Sequence, residues 1–297
     1  MHLMQYGLKA IDFQNAQPAV AKAGLSRREF MVSTLATGFA LAAGPAQAAA
    51  ITTDAKGLVA GEVSIPVADG QVPAYRAMPA KGGNFPVILV IQEIFGVHEH
   101  IKDMCRRYAK QGYYAIAPEM FARQGDVSKM SDIGAILSEV VAKVPDAQVM
   151  SDLDATVAFA RSSGKVSKSK LGIVGYCWGG RTVWLYAHHN PAVKAGVAYY
   201  GLLSGMKSPI KPSDPVDIGE TLKVPVLGLY AGKDAYITAE VVAKMRGEVA
   251  QSGSGSELVV FPDVDHGFNA DYRPTYDQAA ASYAQQLAND WFKRHGV

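Results

Sequence analysis

Cysteine is scarce in this chain: two residues, Cys105 and Cys177, among 297. One conceivable pair is a poor disulfide framework for a chain long enough to bury a sizeable core without a staple. Both are therefore read as free thiols, one structural and one chemical. No C-x-x-C, H-E-x-x-H or clustered Asp/Asn calcium loop occurs, so the pattern offers no metal site. An excess of charge is missing too, with a formal net charge of +2. That small excess sits early, where Lys9, Lys22, Arg27 and Arg28 face only Asp12 and Glu29. The remainder is close to neutral, which excludes the basic field that a nucleic acid backbone requires. Beyond residue 43 no apolar run is long enough to span a bilayer, and no interior linker, charge block or repeat divides the chain.

The first 48 residues do not read as part of a globule. Arg27 and Arg28 precede an apolar run over residues 30–43, and Ala46 and Ala48 supply an Ala-x-Ala cleavage pattern. Charged, apolar and small-residue regions in that order make an export signal. The run is short for a membrane span and ends at Gly44 and Pro45, so no stable membrane anchor is expected. Ser26, Arg27, Arg28 and Phe30 resemble a twin-arginine signal. That resemblance implies the twin-arginine translocation machinery as partner of the precursor, and a periplasmic product exported after folding. Residues 49–297 are then left as a single domain.

Residues 60–78 alternate and are broken at Asp69-Gly70, which predicts a hairpin near a sheet edge. FPVILVIQE, ending at Glu93, is continuous and rich in Val and Ile, the pattern of a strand buried on both faces. Residues 98–111 predict a helix with Ile101, Met104, Cys105 and Tyr108 on one side, stopped by Gly112. YYAIAPE, LGIVGY, AGVAYYG, PVLGLYA and SELVVF supply further strands. Helical spacing over residues 146–162, 179–188, 237–251 and 276–291 alternates with them. One amphipathic helix is expected within residues 121–143, while residues 204–222 read as loop. Short strands alternating with longer helices argue an α/β fold, a mostly parallel sheet with helices on both faces.

In such a sheet the chemistry gathers beyond the carboxyl ends of the strands. Glu93, Cys177, Asp234 and His266 all follow strands in that way. Cys177 sits in GIVGYCWGGR, with Gly175 and Gly179 two residues to either side. A sharp strand-to-helix turn presents a nucleophile, and glycines there give room where a Cβ would collide. Nucleophile, acid and histidine in that order is the α/β-hydrolase order. A helix N-terminus and a neighbouring histidine favour the reactive thiolate. Asp234 would orient the imidazole, and the amide of Trp178 would face a developing oxyanion, with a second donor near Ile94. Blander assignments compete. Asp234 can cap the helix beginning near Tyr236, Asp263 or Asp265 can partner the histidine, and Cys177 can be a small buried hydrophobe. His98, His100, His188 and His189 read as solvated or capping residues.

Five segments together resemble the dienelactone hydrolase (carboxymethylenebutenolidase) family: QEIFGVHEHI, YYAIAPEMFAR, GIVGYCWGGR, GKDAYI and HGFN. The likeness extends over roughly residues 59–291 and implies the α/β-hydrolase fold. It implies Cys177, Asp234 and His266 as the triad, and Glu93 as an extra carboxylate that interacts with the thiol and helps generate the thiolate. It also implies oxyanion donors at the amides of Trp178 and Ile94, and a carboxylate-binding Arg123. One position departs. Where the family pattern has a second arginine four residues after the histidine, this chain has Ala270, leaving Arg273 or Arg181 to take its place. The expected function is hydrolysis of a small ester or lactone through a thioester, with no cofactor. A non-catalytic periplasmic binding protein, and a thioesterase or peptidase, are the other functions such a fold accommodates.

Overall fold

In the computed structural model the described residues are 50–297, and the export pattern over residues 1–48 lies outside them. The first elements are an antiparallel hairpin, β1 (Leu58–Val67) and β2 (Gly70–Pro79), closed where Val67 pairs with Gly70. Gly70 has φ +145°, so the break read from Asp69-Gly70 is a turn that glycine makes without strain. β1 alternates between exposed and more buried positions because it is an edge strand facing the protein on one side.

Six strands follow: β3 (Phe85–Ile91), β4 (Tyr114–Pro118), β5 (Val166–Tyr176), β6 (Ala195–Tyr199), β7 (Val226–Ala231) and β8 (Glu257–Phe261). They complete an eight-stranded sheet of order β1-β2-β4-β3-β5-β6-β7-β8. Pairing is antiparallel across β1–β2 and β2–β4 and parallel everywhere else. β4, β6 and β7 are buried at every position, which is why they read as unbroken apolar runs rather than as alternating ones.

The longer helices are α1 (Glu99–Lys110), α2 (Asp146–Ser162), α3 (Trp178–His189), α4 (Ala239–Ser252) and α5 (Gln278–Arg294). α1 turns Ile101, Met104, Cys105 and Tyr108 fully inward, as their spacing predicts. Thr238 caps α4 by accepting from the Val241 amide, and Asp277 caps α5 by accepting from that of Ala280. A left-handed Gly253 closes α4.

Two stretches differ from expectation. Residues 121–143 do not form one regular helix. A short turn, Val127–Lys129, precedes an irregular helical run over residues 133–143 that widens to a π turn at Ile136–Val140. Ile133, Ile136, Leu137, Val140 and Val141 are all buried, so the apolar face was legible and its winding was not. Within residues 204–222 the structure adds a helical turn, Pro215–Ile218. Asp214 and Asp217 bond reciprocally around it, with proline at its start, a capping box written in the sequence as DPVD. The buried Lys211 ammonium donates to the carbonyls of Ala142 and Val144 and ties these two stretches together.

Candidate active site

β3, β5, β6, β7 and β8 are neighbours in the sheet and parallel, so their carboxyl ends share one edge. Glu93, Cys177, Tyr200, Asp234 and His266 follow them one by one. β5 passes directly into α3, and Cys177 between them has φ +55° and ψ −113°. A residue with a Cβ holds such a conformation only under constraint, at a cost of about 1–3 kcal/mol. The constraint is visible. The Cys177 amide donates to the Tyr199 carbonyl at 3.0 Å, and its own carbonyl accepts from Gly180 at 2.9 Å. A Cβ on Gly175 would lie 2.2 Å from the Gly179 oxygen, and one on Gly179 would lie 2.4 Å from the Ile91 oxygen. A second close pair, not foreseen from the sequence, is Gly180 against Gly201, where a Cβ on Gly201 would lie 2.3 Å from backbone carbon. The elbow is thus wedged between β3 and the segment after β6. Trp178 opens α3, so its N–H belongs to the turn that a helix cannot pair for itself, at the positive end of the dipole. Ile94 lies in the tight turn closed by pairing of Glu93 with Gly96.

Asp234 and His266 are brought together, Nδ1 to Oδ2 at 2.7 Å. The competing assignments for Asp234 turn out to be compatible. Its Oδ1 accepts from the Tyr236 and Ile237 amides at 2.9 and 3.2 Å, while its other oxygen holds the imidazole. Asp263 and Asp265 are exposed. His266 also interacts electrostatically with the Cys177 side chain. Burial disfavours the imidazolium, but Asp234 and Cys177 together outweigh it, and the His266 pKa is pushed up to about 10. A raised value in the folded state stabilises the fold fully below the ordinary 6.5, and that contribution is lost as pH rises through about 10. The thermal midpoint of wild type should therefore exceed that of His266→Gln most at about pH 6. The gap should narrow between pH 6.5 and 10; a gap independent of pH contradicts the charged pair.

Glu93 is fully buried, and its partners are cations and a phenol. Its Oε1 faces Arg273 Nη2 at 3.2 Å, an ion pair without hydrogen-bond alignment. Its Oε2 accepts from the Tyr272 hydroxyl and lies 3.4 Å from His98 Nε2. Tyr272 in turn accepts from Arg273 Nε at 3.1 Å, so one guanidinium braces both the carboxylate and the phenol that holds it. Burial works against the charge on Glu93. Arg273 and the His98 hydrogen bond outweigh that and keep its carboxyl well below the ordinary carboxylate range. Among the described residues Glu93 bonds to these groups rather than to the Cys177 sulfur.

Arg123 sits elsewhere in its bonding. It donates to Asp152 at 2.6 and 2.9 Å and to Asp69 at 2.6 to 3.0 Å, joining α2 to the β1–β2 turn. A substrate carboxylate would have to displace one of these. Arg181 is buried against Asp146 and the Ser213 carbonyl, so of the two substitutes for the residue at Ala270 only Arg273 stands at Glu93. His188 and His189 are exposed, as expected. His98 and His100 are corrections. His98 occupies the N-cap position of α1 but turns its ring to Glu93, and His100 is 4% exposed and faces Asp271 at 3.2 Å. The His100 partner lies 171 residues along the chain, where local pattern has no reach. Tyr200 and Tyr272 were likewise missed as site residues, although Tyr272 stands close after the HGFN segment; Arg273 was named from the sequence only as a substitute for the arginine absent at Ala270.

Both cysteines are free and buried. Burial pushes the Cys105 thiol well up, which fits a structural role within α1.

The sequence model of the dienelactone hydrolase family matches residues 72–296. The chain belongs to that family. It is an α/β-hydrolase and a carboxylic ester or lactone hydrolase by membership. A Methylorubrum extorquens protein named "Putative carboxymethylenebutenolidase" is 58% identical over 278 residues, covering 93% of this chain and 96% of its own. A protein of the same name from Escherichia coli K12 is 49% identical over 268 residues, 90% of this chain and 98% of its own. A Klebsiella pneumoniae crystal structure, named as a dienelactone hydrolase of the same standing, superposes with a TM-score of 0.78 at 49% identity. That match covers 80% of this chain and 99% of the other.

Proposed function

We propose that this family member is an exported hydrolase of small esters or lactones in which Cys177 is the nucleophile, His266 the base and Asp234 its orienting partner. The observation that carries the reading is the Asp234–His266 hydrogen bond beside Cys177, whose side chain interacts with the imidazole from a strained strand-to-helix elbow. An imidazolium beside the sulfur is the charge partner that a thiolate requires.

Attack of the thiolate on the carbonyl carbon forms a tetrahedral intermediate whose oxyanion faces the amides of Trp178 and Ile94. Collapse breaks the carbon–oxygen bond of the ester or ring. The departing alkoxide takes the proton of His266 and leaves an acyl thioester on Cys177. Neutral His266 then draws a proton from water as its oxygen attacks the thioester, and the acid leaves as the thiolate is restored. The sequence of steps uses no cofactor. Glu93 enters as the carboxylate which, released from Arg273, Tyr272 and His98 when substrate arrives, helps generate the thiolate by accepting the thiol proton. The relatives' names point to a small lactone. For an anionic one, Arg273 is the cation left standing in the site, because Arg123 is held by Asp69 and Asp152.

The test is rapid mixing with an activated aryl ester. We expect a burst of about one equivalent of product, a slower steady rate, and an acyl mass on the Cys177 peptide. Export is read in the same experiment by assaying the periplasmic fraction of producing cells. Absence of hydrolysis across short acyl esters and small lactones overturns the enzymatic reading; activity confined to the cytoplasm overturns export.

A further inference from the structure

The hydroxyl of Tyr200 is a buried polar group at the centre of the site that the steps above do not use. Tyr200 is 0% exposed, and its hydroxyl has no hydrogen-bond partner among the described residues. Its backbone φ is +38°, a left-handed conformation that an aromatic residue rarely adopts. Its ring packs on the His266 imidazole with centroids 5.0 Å apart. Charges within its electrostatic reach are those of Glu93, Arg273, Tyr272 and Cys177. An unpaired buried hydroxyl and a strained backbone both oppose folding, and here they fall on one residue.

The neighbouring tyrosine supplies the contrast. Tyr199 is equally buried and its hydroxyl is equally unpaired. Its ring crosses that of Tyr200 at 72° and lies 5.0 Å from Tyr176, and the phenol it senses is Tyr108 on α1. Two adjacent phenols therefore serve different surroundings, one in the core under α1 and one between the Glu93 cluster and the catalytic pair.

We propose that Tyr200 is a further catalytic residue whose hydroxyl donates a hydrogen bond to the Cys177 sulfur as negative charge develops there. The inference rests on the reading of Cys177 as nucleophile. No proton is transferred. The O–H stays on the phenol, and its dipole stabilises the thiolate before attack and again when the thioester is cleaved. Burial, reinforced by the charge of Glu93, pushes this hydroxyl well above the ordinary tyrosine value, so it remains a donor throughout the working range.

Single-turnover acylation by the aryl ester, with the thermal midpoint measured alongside, tests this on Tyr200→Phe and Tyr199→Phe. Tyr200→Phe keeps the ring against His266 and removes the hydroxyl. Its acylation rate should fall about 10- to 100-fold, as for loss of a hydrogen bond to a charged group. Its midpoint should stay level or rise, because an unsatisfied buried group has gone. Tyr199→Phe should acylate at the wild-type rate. Unchanged acylation in Tyr200→Phe, or an equal loss in Tyr199→Phe, overturns the inference while leaving Cys177 in place. So does a midpoint that falls with the rate, since a hydroxyl without partners cannot be holding the fold. Wild-type protein that forms no acyl-cysteine removes the nucleophile assignment, and this inference with it.

Discussion

Replacing Cys177 with alanine is expected to lower kcat/KM by about 10⁴-fold or more and to abolish the acyl adduct. The loss is large because in the proposed mechanism the sulfur is the atom that bonds to substrate, and no neighbour can substitute for it. Residual turnover would come from the backbone donors and from binding alone. Cys177→Ser is the more informative change. A hydroxyl is far less acidic than a thiol, so the same histidine activates it poorly, and a loss of about 100-fold is expected. Alanine and serine keep a Cβ at φ +55°, so neither relieves the strain of the elbow, and the thermal midpoint should move little. Steady-state kinetics with the aryl ester, and intact mass after mixing, measure both effects. Wild-type turnover in Cys177→Ala would remove the triad from the mechanism. Cys105 does not confuse the labelling, because burial holds its thiol protonated inside the core.

Arg273→Met should destabilise the protein by about 3–5 kcal/mol, the cost of leaving a buried carboxylate without its counter-charge. Glu93 and Arg273 are both almost completely inaccessible, so water cannot replace the missing partner. The pH dependence follows from the direction of the shift. Glu93 is held below its ordinary value, so its pairing stabilises the wild type above about pH 4.5 and ceases to do so as acid protonates the carboxyl. The deficit of Arg273→Met should thus be greatest near neutrality and shrink below about pH 4.5. Glu93→Gln should itself cost stability, since it strands Arg273, and should also slow acylation. Combining the two substitutions should restore more than half of the lost stability without restoring the rate. Urea unfolding at several pH values, with single-turnover kinetics at pH 7, separates these outcomes. Full activity in a well-folded double variant would leave the pair with a structural role only.

The second prediction also shows where sequence reasoning stopped. Glu93 was legible as a candidate because it follows a buried strand. Its actual partners are Arg273, Tyr272 and His98, two of them near the other end of the chain. His100 illustrates the same limit, since Asp271 completes it from 171 residues away. Arg123 illustrates another. A motif located it beside the strand end, but only the fold shows Asp69 and Asp152 on its two edges.

Local sequence pattern specifies the elements and the order of the candidate catalytic groups. Unbroken apolar runs specify strands covered on both faces, three-and-four spacing specifies the helices between them, and Gly175 and Gly179 specify the elbow around Cys177. These are local properties, each written within about a dozen residues, and the parallel sheet then aligns the strand ends without further instruction. Which polar groups meet beyond those ends was decided by the tertiary structure alone. The choice of Asp234 over Asp263 and Asp265, the clamp on Glu93, and the unpaired hydroxyl of Tyr200 depend on distances between segments far apart in the chain. A buried charge or hydroxyl takes its properties from whatever surrounds it, and those surroundings exist only after the sheet has closed its crossovers and the core has excluded water.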